Sequence, residues 1–594
     1  MNLAHLSFAA FRLLVATAAL LSALSVVGAE PSVLTVARVA QFDTLDPPRE
    51  GDDYSDQLVR QLYSRLLTYA YLERPYKLEP DLLEAMPQLG PDRITYTFRL
   101  RKGVRFVDNA CFPGGKGREL TADDVLYTIR RFADARINTR SWFAMEGAVV
   151  GLDAFRAATL KAAPGADASA LDVAGLRKID KYTFTIRLTH ENPLFLYSLT
   201  MAPTAIMPVE AVQMYKDKLS VVAVGSGPFM ATAPLDRNGT LHLVRNPTYY
   251  RVYPSVGAPG DAEKGLLKDA GKKLPLVDVL DMPLIEEMQP AALKFLRGEL
   301  DRRELDRANF TKLVLRAPDG SLKLAAPYAS QFDLRSSPGG NTVYITLNMR
   351  DPVLGKNKAL RQALAAAIDP VAIINVLWNG RGIALQSLVP MDLAGSETDT
   401  AAPARKRDLA AARMLLADAG YPDGKGLPPL TMTFPTADAD TRNEFDMVRA
   451  QFAAIGVQLI GTFDDVPAFT KSMDAGNFQM AYYSWYADYP DAEDFYQVLY
   501  GKNVAPGPNS GNFINAAYDR GYEASRYMVN GPRRYEIFKS LNAIIRDETP
   551  VIVARESLRV DTVQKWVGNY KRNIFTTEMQ FLSVDMAMKK KGVQ

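Results

Sequence analysis

Hydrophobic and polar residues alternate in several short stretches of the chain. Ile94, Tyr96, Phe98 and Leu100 are separated by Thr95, Thr97 and Arg99, the period of two that turns one face of a strand inward. Tyr182, Phe184, Ile186 and Leu188 repeat this around Thr183, Thr185 and Arg187, and Val343, Ile345 and Leu347 follow the same rule. Three half-buried strands are predicted. Elsewhere the period lengthens to that of a helix. Thr121-Ala122-Asp123-Asp124 has the form of a capping box, with acids in the first turn, and Val125, Ile129 and Phe132 then share one face. Asp408 precedes the helical run Leu409–Leu416, which Gly420 and Pro422 close. Phe445, Val448, Phe452 and Ile455 form a stripe ending at Gly456, and Val457-Gln458-Leu459-Ile460 reads as the next strand. Alternating strands and helices of this kind predict an α/β protein. Residues 162–167, 253–275 and 394–407 carry no period and read as surface insertions. No internal repeat is present.

The first 29 residues contain no acid. Arg12 precedes an apolar run that closes on Val27-Gly28-Ala29, followed by Glu30-Pro31-Ser32. This is a secretory signal with cleavage expected after Ala29; a membrane span would need about 20 apolar residues. No cysteine follows the run, so no lipid anchor is expected. The 594-residue chain has 70 basic and 67 acidic residues, a net charge of +3, and loss of Arg12 leaves +2. Such balance argues against nucleic acid as a partner. The tail Lys589-Lys590-Lys591 reads as a solvated end. Cys111 is the sole cysteine, which excludes an intramolecular disulfide.

Catalytic signatures are missing. His190 and His242 lie far apart, no metal-ligand spacing exists, and no phosphate loop or nucleophile elbow is present. Phe112-Pro113-Gly114-Gly115-Lys116-Gly117 is Gly-rich but lies in a loop-like setting. Asp491, Glu493 and Asp494 cluster, as a solvated loop or helix start would. No cofactor, no metal and no catalytic residue is expected, although acids distant in sequence could still pair, which leaves a secreted hydrolase as an alternative.

Residues 481–491 pack five aromatic rings and Asp488 between a strand-like stretch and a Pro-containing turn. Either the rings are core and Asp488 caps a turn, or they wall a carboxylate that a ligand ammonium would satisfy.

Motifs spread along the chain resemble the large bacterial solute-binding proteins of the oligopeptide/dipeptide/nickel group, family 5. They are Leu45-Asp46-Pro47, Tyr63–Leu67, Leu78–Glu84, Tyr96–Phe106 with Leu120–Val125, Gly225–Phe229, Asn246–Tyr250, Arg361–Leu364 with Ile368-Asp369, and Ala412–Gly420. The resemblance implies a two-lobed periplasmic binding protein of the large class, with an extra domain and a hinge. By analogy, the first lobe comprises 30–66, 178–340 and 552–594, the extra domain 67–177, and the second lobe 341–551. It further implies a monomer in the periplasm that captures dipeptides or oligopeptides between its lobes and delivers them to an inner-membrane ABC permease. Trp485-Tyr486-Ala487-Asp488-Tyr489 matches the segment whose acid holds the peptide amine, so Asp488 is the candidate for it. Trp485, Tyr486, Tyr489, Tyr482 and Ser484 are expected around the ligand. Gly51, Asp52 and Asp53 lie where the family pairs its backbone with an extended peptide. Ser484 stands where peptide binders often have Gly, and 108–117 and 253–275 look inserted. Opines, metal complexes, haem or sugars are the alternative ligands on the same scaffold.

Overall fold

The computed structural model describes residues 30–162, 171–317, 321–396 and 406–592. The expected signal segment, 1–29, lies outside them, as do 163–167 and 397–405 of the expected insertions.

The chain divides around two sheet systems joined by one long strand. In the first lobe, Val33–Thr35 pairs parallel with Val279–Met282, which pairs antiparallel with Leu241–Arg245 and on to Phe229–Ala231. A separate antiparallel sheet carries the extra domain, in the order Gln88–Leu89, Thr95–Arg99, Thr183–Arg187, Leu176–Lys178. The alternation foretold it: Tyr96, Phe98, Phe184 and Ile186 are buried, and the Phe98 and Phe184 rings stack at 4.9 Å. Helix Ala122–Ala133 is closed at its N-terminus by the predicted capping box, with the Thr121 N–H donating to the Asp124 carboxylate at 2.9 Å. Its Val125, Ile129 and Phe132 enter the same core as Leu34 and Leu243, so this sheet and the first lobe share one continuous interior. A boundary at 177 would cut the sheet, because Thr183–Arg187 supplies a central strand; the unit extends past residue 187. Asp46 of the Leu45-Asp46-Pro47 motif is buried in an ion pair with Arg131 at 2.6 Å.

The second lobe is built on Asn341–Leu347, flanked by Met480–Tyr486 and Val551–Gln564, with Leu430–Phe434 and Leu459–Phe463 beyond. All seven residues of Asn341–Leu347 are buried, which corrects the half-buried expectation. The strand is central, and both faces are covered. Ile345 and Leu347 meet helices that include Lys358–Ala367 and Ala439–Ala453, while Tyr344 faces a cluster holding Tyr518, Phe538 and Leu541. Asp408 caps Leu409–Asp418 as expected, accepting from the Ala411 N–H at 2.9 Å. The strand after Gly456 begins at Leu459, two residues later than predicted.

Val551–Gln564 is 14 residues long and belongs to both lobes. Its first part pairs with Asn341–Leu347 and its second with Phe332–Pro338 and Arg302–Glu304. The lobes are therefore joined where this strand passes Ser557-Leu558 and where Gly339-Gly340 links the two partner strands. A second-lobe boundary at 551 is corrected accordingly, since Val551–Arg555 pairs within that lobe.

The 253–275 segment is ordered by burial of Tyr253, whose hydroxyl donates to the Leu266 carbonyl at 2.8 Å and whose ring meets Tyr71 and Phe581. Cys111 is half-buried, and burial pushes its thiol up to about 11. No single helix among the described residues is long and apolar enough to cross a membrane.

Candidate functional site

A cavity of about 570 Å³ opens between the lobes beside their connection. Glu50, Asp53 and Arg60 line it from the first lobe, Tyr486 and Asp488 from the second, and Arg559 from the connecting strand.

The second-lobe wall is the end of Met480–Tyr486 and the chain just past it. Period two sends alternate residues of this strand to opposite faces, so the aromatic run cannot all face one ligand. Tyr482 points into the second-lobe core, stacked on Phe434 at 5.3 Å, and its hydroxyl accepts from Arg555 at 3.3 Å. Ser484 is engaged by Asn341, whose side-chain amide donates to its hydroxyl at 2.9 Å. Trp485 packs against the other interior face, and its indole N–H reaches Asp494 at 3.4 Å. Tyr489 donates its hydroxyl to Glu493 and stacks at 5.5 Å on Tyr197, which belongs to the opposite side of the cleft. None of these four lines the cavity. Trp485 and Tyr489 instead brace the segment from behind.

Tyr486 and Asp488 do face the cavity. The turn that presents them is fixed by main-chain bonds: the Ala487 N–H donates to the Gly340 carbonyl and the Asp488 N–H to the Asp494 carboxylate, each at 2.9 Å. The Asp488 carboxyl is open to the solvent of the cleft and has no cation beside it among the described residues. Burial of the surrounding site nonetheless pushes its pKa up to about 6. Asp494, fully buried behind it, is raised well above the usual carboxylate range by burial and by the Asp488 charge.

The acids beyond Asp488 are not solvated as expected; Asp491, Glu493 and Asp494 are 1%, 2% and 0% exposed. Asp491 pairs with the equally buried Arg534 at 2.6 Å. Glu493 accepts hydroxyl bonds from Tyr489 and Tyr522. Asp494 also receives Gln497 at 2.9 Å. These partners lie up to 43 residues away, which is why local sequence gave no sign of them.

On the first-lobe wall, the chain enters helix Asp53–Leu62. Asp52 is its N-cap, accepting from the N–H groups of Tyr54 and Ser55 at 2.9 Å and from the Ser55 hydroxyl. Its carboxylate is thus spent, and the helical backbone beyond it has no strand edge to offer an extended peptide. Gly51 lies outside the cavity lining, with Arg140 donating to its carbonyl at 3.4 Å. Of the three residues expected here, only Asp53 lines the cavity.

Glu50, buried beside Asp53, was not foreseen as a lining carboxyl. It accepts the Asp52 N–H at 3.0 Å, and burial, with Asp56 nearby, pushes it up to about 8. The cavity's arginines were also missed, because they come from distant parts of the chain. Each is already paired. Arg60 holds Asp56 at 2.6 Å and donates to the Phe575 carbonyl at 2.9 Å. Arg302 holds Asp561 and Glu578 at 3.0 and 2.9 Å. Arg559 and Arg572 share Glu304 at 2.8 and 3.1 Å. Burial opposes the Glu304 charge, but these two guanidinium groups outweigh it and hold the carboxyl at about 2. No group of three or more His, Cys, Asp or Glu side chains among the described residues is placed to hold a metal.

Residues 77–507 match the model of the bacterial extracellular solute-binding proteins, family 5 Middle. The dipeptide-binding protein of Escherichia coli K12 is 24% identical over 561 residues, covering 90% of this chain and 94% of its own length. Di/tripeptide-binding protein 3 of Pseudomonas aeruginosa is 25% identical over 537 residues, 89% of each chain. Among solved structures, HbpA2 from Haemophilus parasuis superposes with a TM-score of 0.71 at 22% identity, covering 93% of this chain and 99% of that one. DppA from Helicobacter pylori, in complex with the peptide STSA, gives 0.67 at 21%, covering 93% and 98%. With a family model spanning most of its length and the same two-lobed α/β architecture, the chain belongs to the bacterial extracellular solute-binding proteins of family 5.

Proposed function

We propose that this protein is the periplasmic capturing subunit of an ABC importer, binding short peptides between its lobes and handing them to an inner-membrane permease. The observation that carries this reading is Asp488: an unpaired carboxyl, held by fixed main-chain bonds at the wall of a cavity that both lobes line. An α-ammonium there makes a charge-assisted hydrogen bond to a group that otherwise has no cation. The names of the di- and tripeptide-binding relatives support the same ligand class. A ligand touching both walls favours the closed arrangement of lobes joined only by short connections, and closure is what a permease reads. The exported protein acts as a monomer with no cofactor.

A thermal-shift assay with a pool of di- to pentapeptides and the same pool N-acetylated tests this. A ligand at about 100 times its Kd stabilises by roughly 2.7 kcal/mol. The free pool raises the melting temperature and the acetylated pool does not. No shift with either pool overturns peptide capture.

A further inference from the structure

The charges around the cavity do not balance. Its four lining arginines, Arg60, Arg302, Arg559 and Arg572, are each held by at least one carboxylate within 3.1 Å. Including those partners, seven carboxyl groups stand against four guanidinium groups: Glu50, Asp53, Asp56, Asp488 and Glu578 on the wall, with Glu304 and Asp561 directly behind it. Three of the seven have no ion-pair partner among the described residues. Asp488 is on the second lobe, and Glu50 and Asp53 are on the first.

The two first-lobe carboxyls differ in setting, and the difference points to a ligand. Asp53, at the helix start, is exposed to the cleft and feels Arg559, whose guanidinium is bound to Glu304 instead. Glu50 is 6% exposed; its carboxyl accepts the Asp52 N–H and feels Arg60, whose guanidinium is bound to Asp56 instead. A carboxyl buried to that extent without an ion-pair partner is costly to ionise. It sits on the wall of a ligand cavity, where an arriving cation would remove that cost.

We infer that the peptides taken by this site are basic: with the α-amine on Asp488, the Glu50–Asp53 wall receives a lysine or arginine side chain across the cleft. This rests on the peptide reading above and sharpens it to a substrate class. A peptide with a neutral side chain there satisfies Asp488 and leaves Glu50 and Asp53 without a cation. An acidic one adds charge to a site whose guanidinium groups are already committed.

The test is calorimetric binding of tripeptides differing in one residue, Ala-Ala-Ala, Ala-Lys-Ala and Ala-Glu-Ala, with the register of the basic residue also moved to positions one and three. In the exported wild-type protein, at least one lysine peptide binds about tenfold or more tighter than Ala-Ala-Ala, the size of a charge pair screened part-way between surface and interior. The glutamate peptides bind more weakly than either. Raising the salt narrows the lysine advantage. In Asp53→Asn the ratio of lysine to alanine affinity collapses toward one, and circular dichroism verifies folding. Glu50→Gln tests the second carboxyl in the same way. Alanine and glutamate peptides binding as tightly as lysine peptides would overturn the basic preference and leave peptide capture standing. Failure of every peptide to bind wild type would overturn both.

Discussion

Removing one partner of the Asp491–Arg534 pair is expected to destabilise the second lobe by about 3–5 kcal/mol. Both side chains are 1% exposed and 2.6 Å apart. Asp491→Ala leaves the guanidinium with the Ser525 carbonyl at 2.9 Å and Asn530 at 2.6 Å, while its Nη2 already has no partner. It also strips the Glu493 N–H of its acceptor. A nearly complete positive charge is then buried without a counter-ion, which places the cost in the upper part of that range. Urea unfolding followed by circular dichroism measures it. Asp491→Ala/Arg534→Met removes the stranded charge, and the Met side chain can still pack on Phe538, whose ring lies 4.8 Å from the guanidinium carbon. The double variant is expected to recover at least half of the loss. A single-variant loss below about 1 kcal/mol, or a double variant no better than the single, would refute the view that this pair clamps the segment bearing Asp488.

Three further outcomes follow from the same geometry. Glu50, Asp488 and Glu556, the last buried in Val551–Gln564 where it accepts the Gly340 and Met391 N–H groups, are raised by burial to about 8, 6 and 7, so the folded state holds protons that the unfolded chain releases near pH 4. Stability from these groups is lost as pH rises through those values, and the ligand-free melting temperature should climb by at least about 3 °C from pH 8 to pH 5. Peptide affinity should run the opposite way at Asp488, falling as pH drops below about 6, because the carboxylate that holds the amine is then protonated; titration calorimetry between pH 5 and 8 checks this. Gly340 at the lobe connection has φ +69°, and a Cβ there would meet Ile574 of the first lobe. Gly340→Ala should therefore cost about 1–2 kcal/mol and weaken ligand binding, read from melting and calorimetry together.

The fold was legible because period-two runs such as Thr95–Arg99 and the Thr121–Asp124 cap are local signals that tertiary packing then reinforced. Unit boundaries were less so. Thr183–Arg187 joins a strand some 88 residues earlier in the chain, and Val551–Gln564 serves two lobes at once, neither of which leaves a compositional mark. Asp488 could be singled out from its aromatic surroundings and motif. Tyr482, Ser484 and Trp485 do not line the cavity, because neighbours in a strand face opposite ways. The burial of Asp491, Glu493 and Asp494 depends on Tyr522, Asn530 and Arg534, and the charge state of the cavity on arginines from residues 60 to 572. Only the assembled structure brings those together.

The central claim is that Asp488 holds a peptide amine. Calorimetry of one free-amine peptide and its N-acetyl derivative, against wild type and Asp488→Ala, tests it most directly. Acetylation should weaken wild-type binding about 30-fold or more, and the variant should bind both forms with the same low affinity. Equal binding of the two forms by wild type, or an undiminished preference for the free amine in Asp488→Ala, would contradict it.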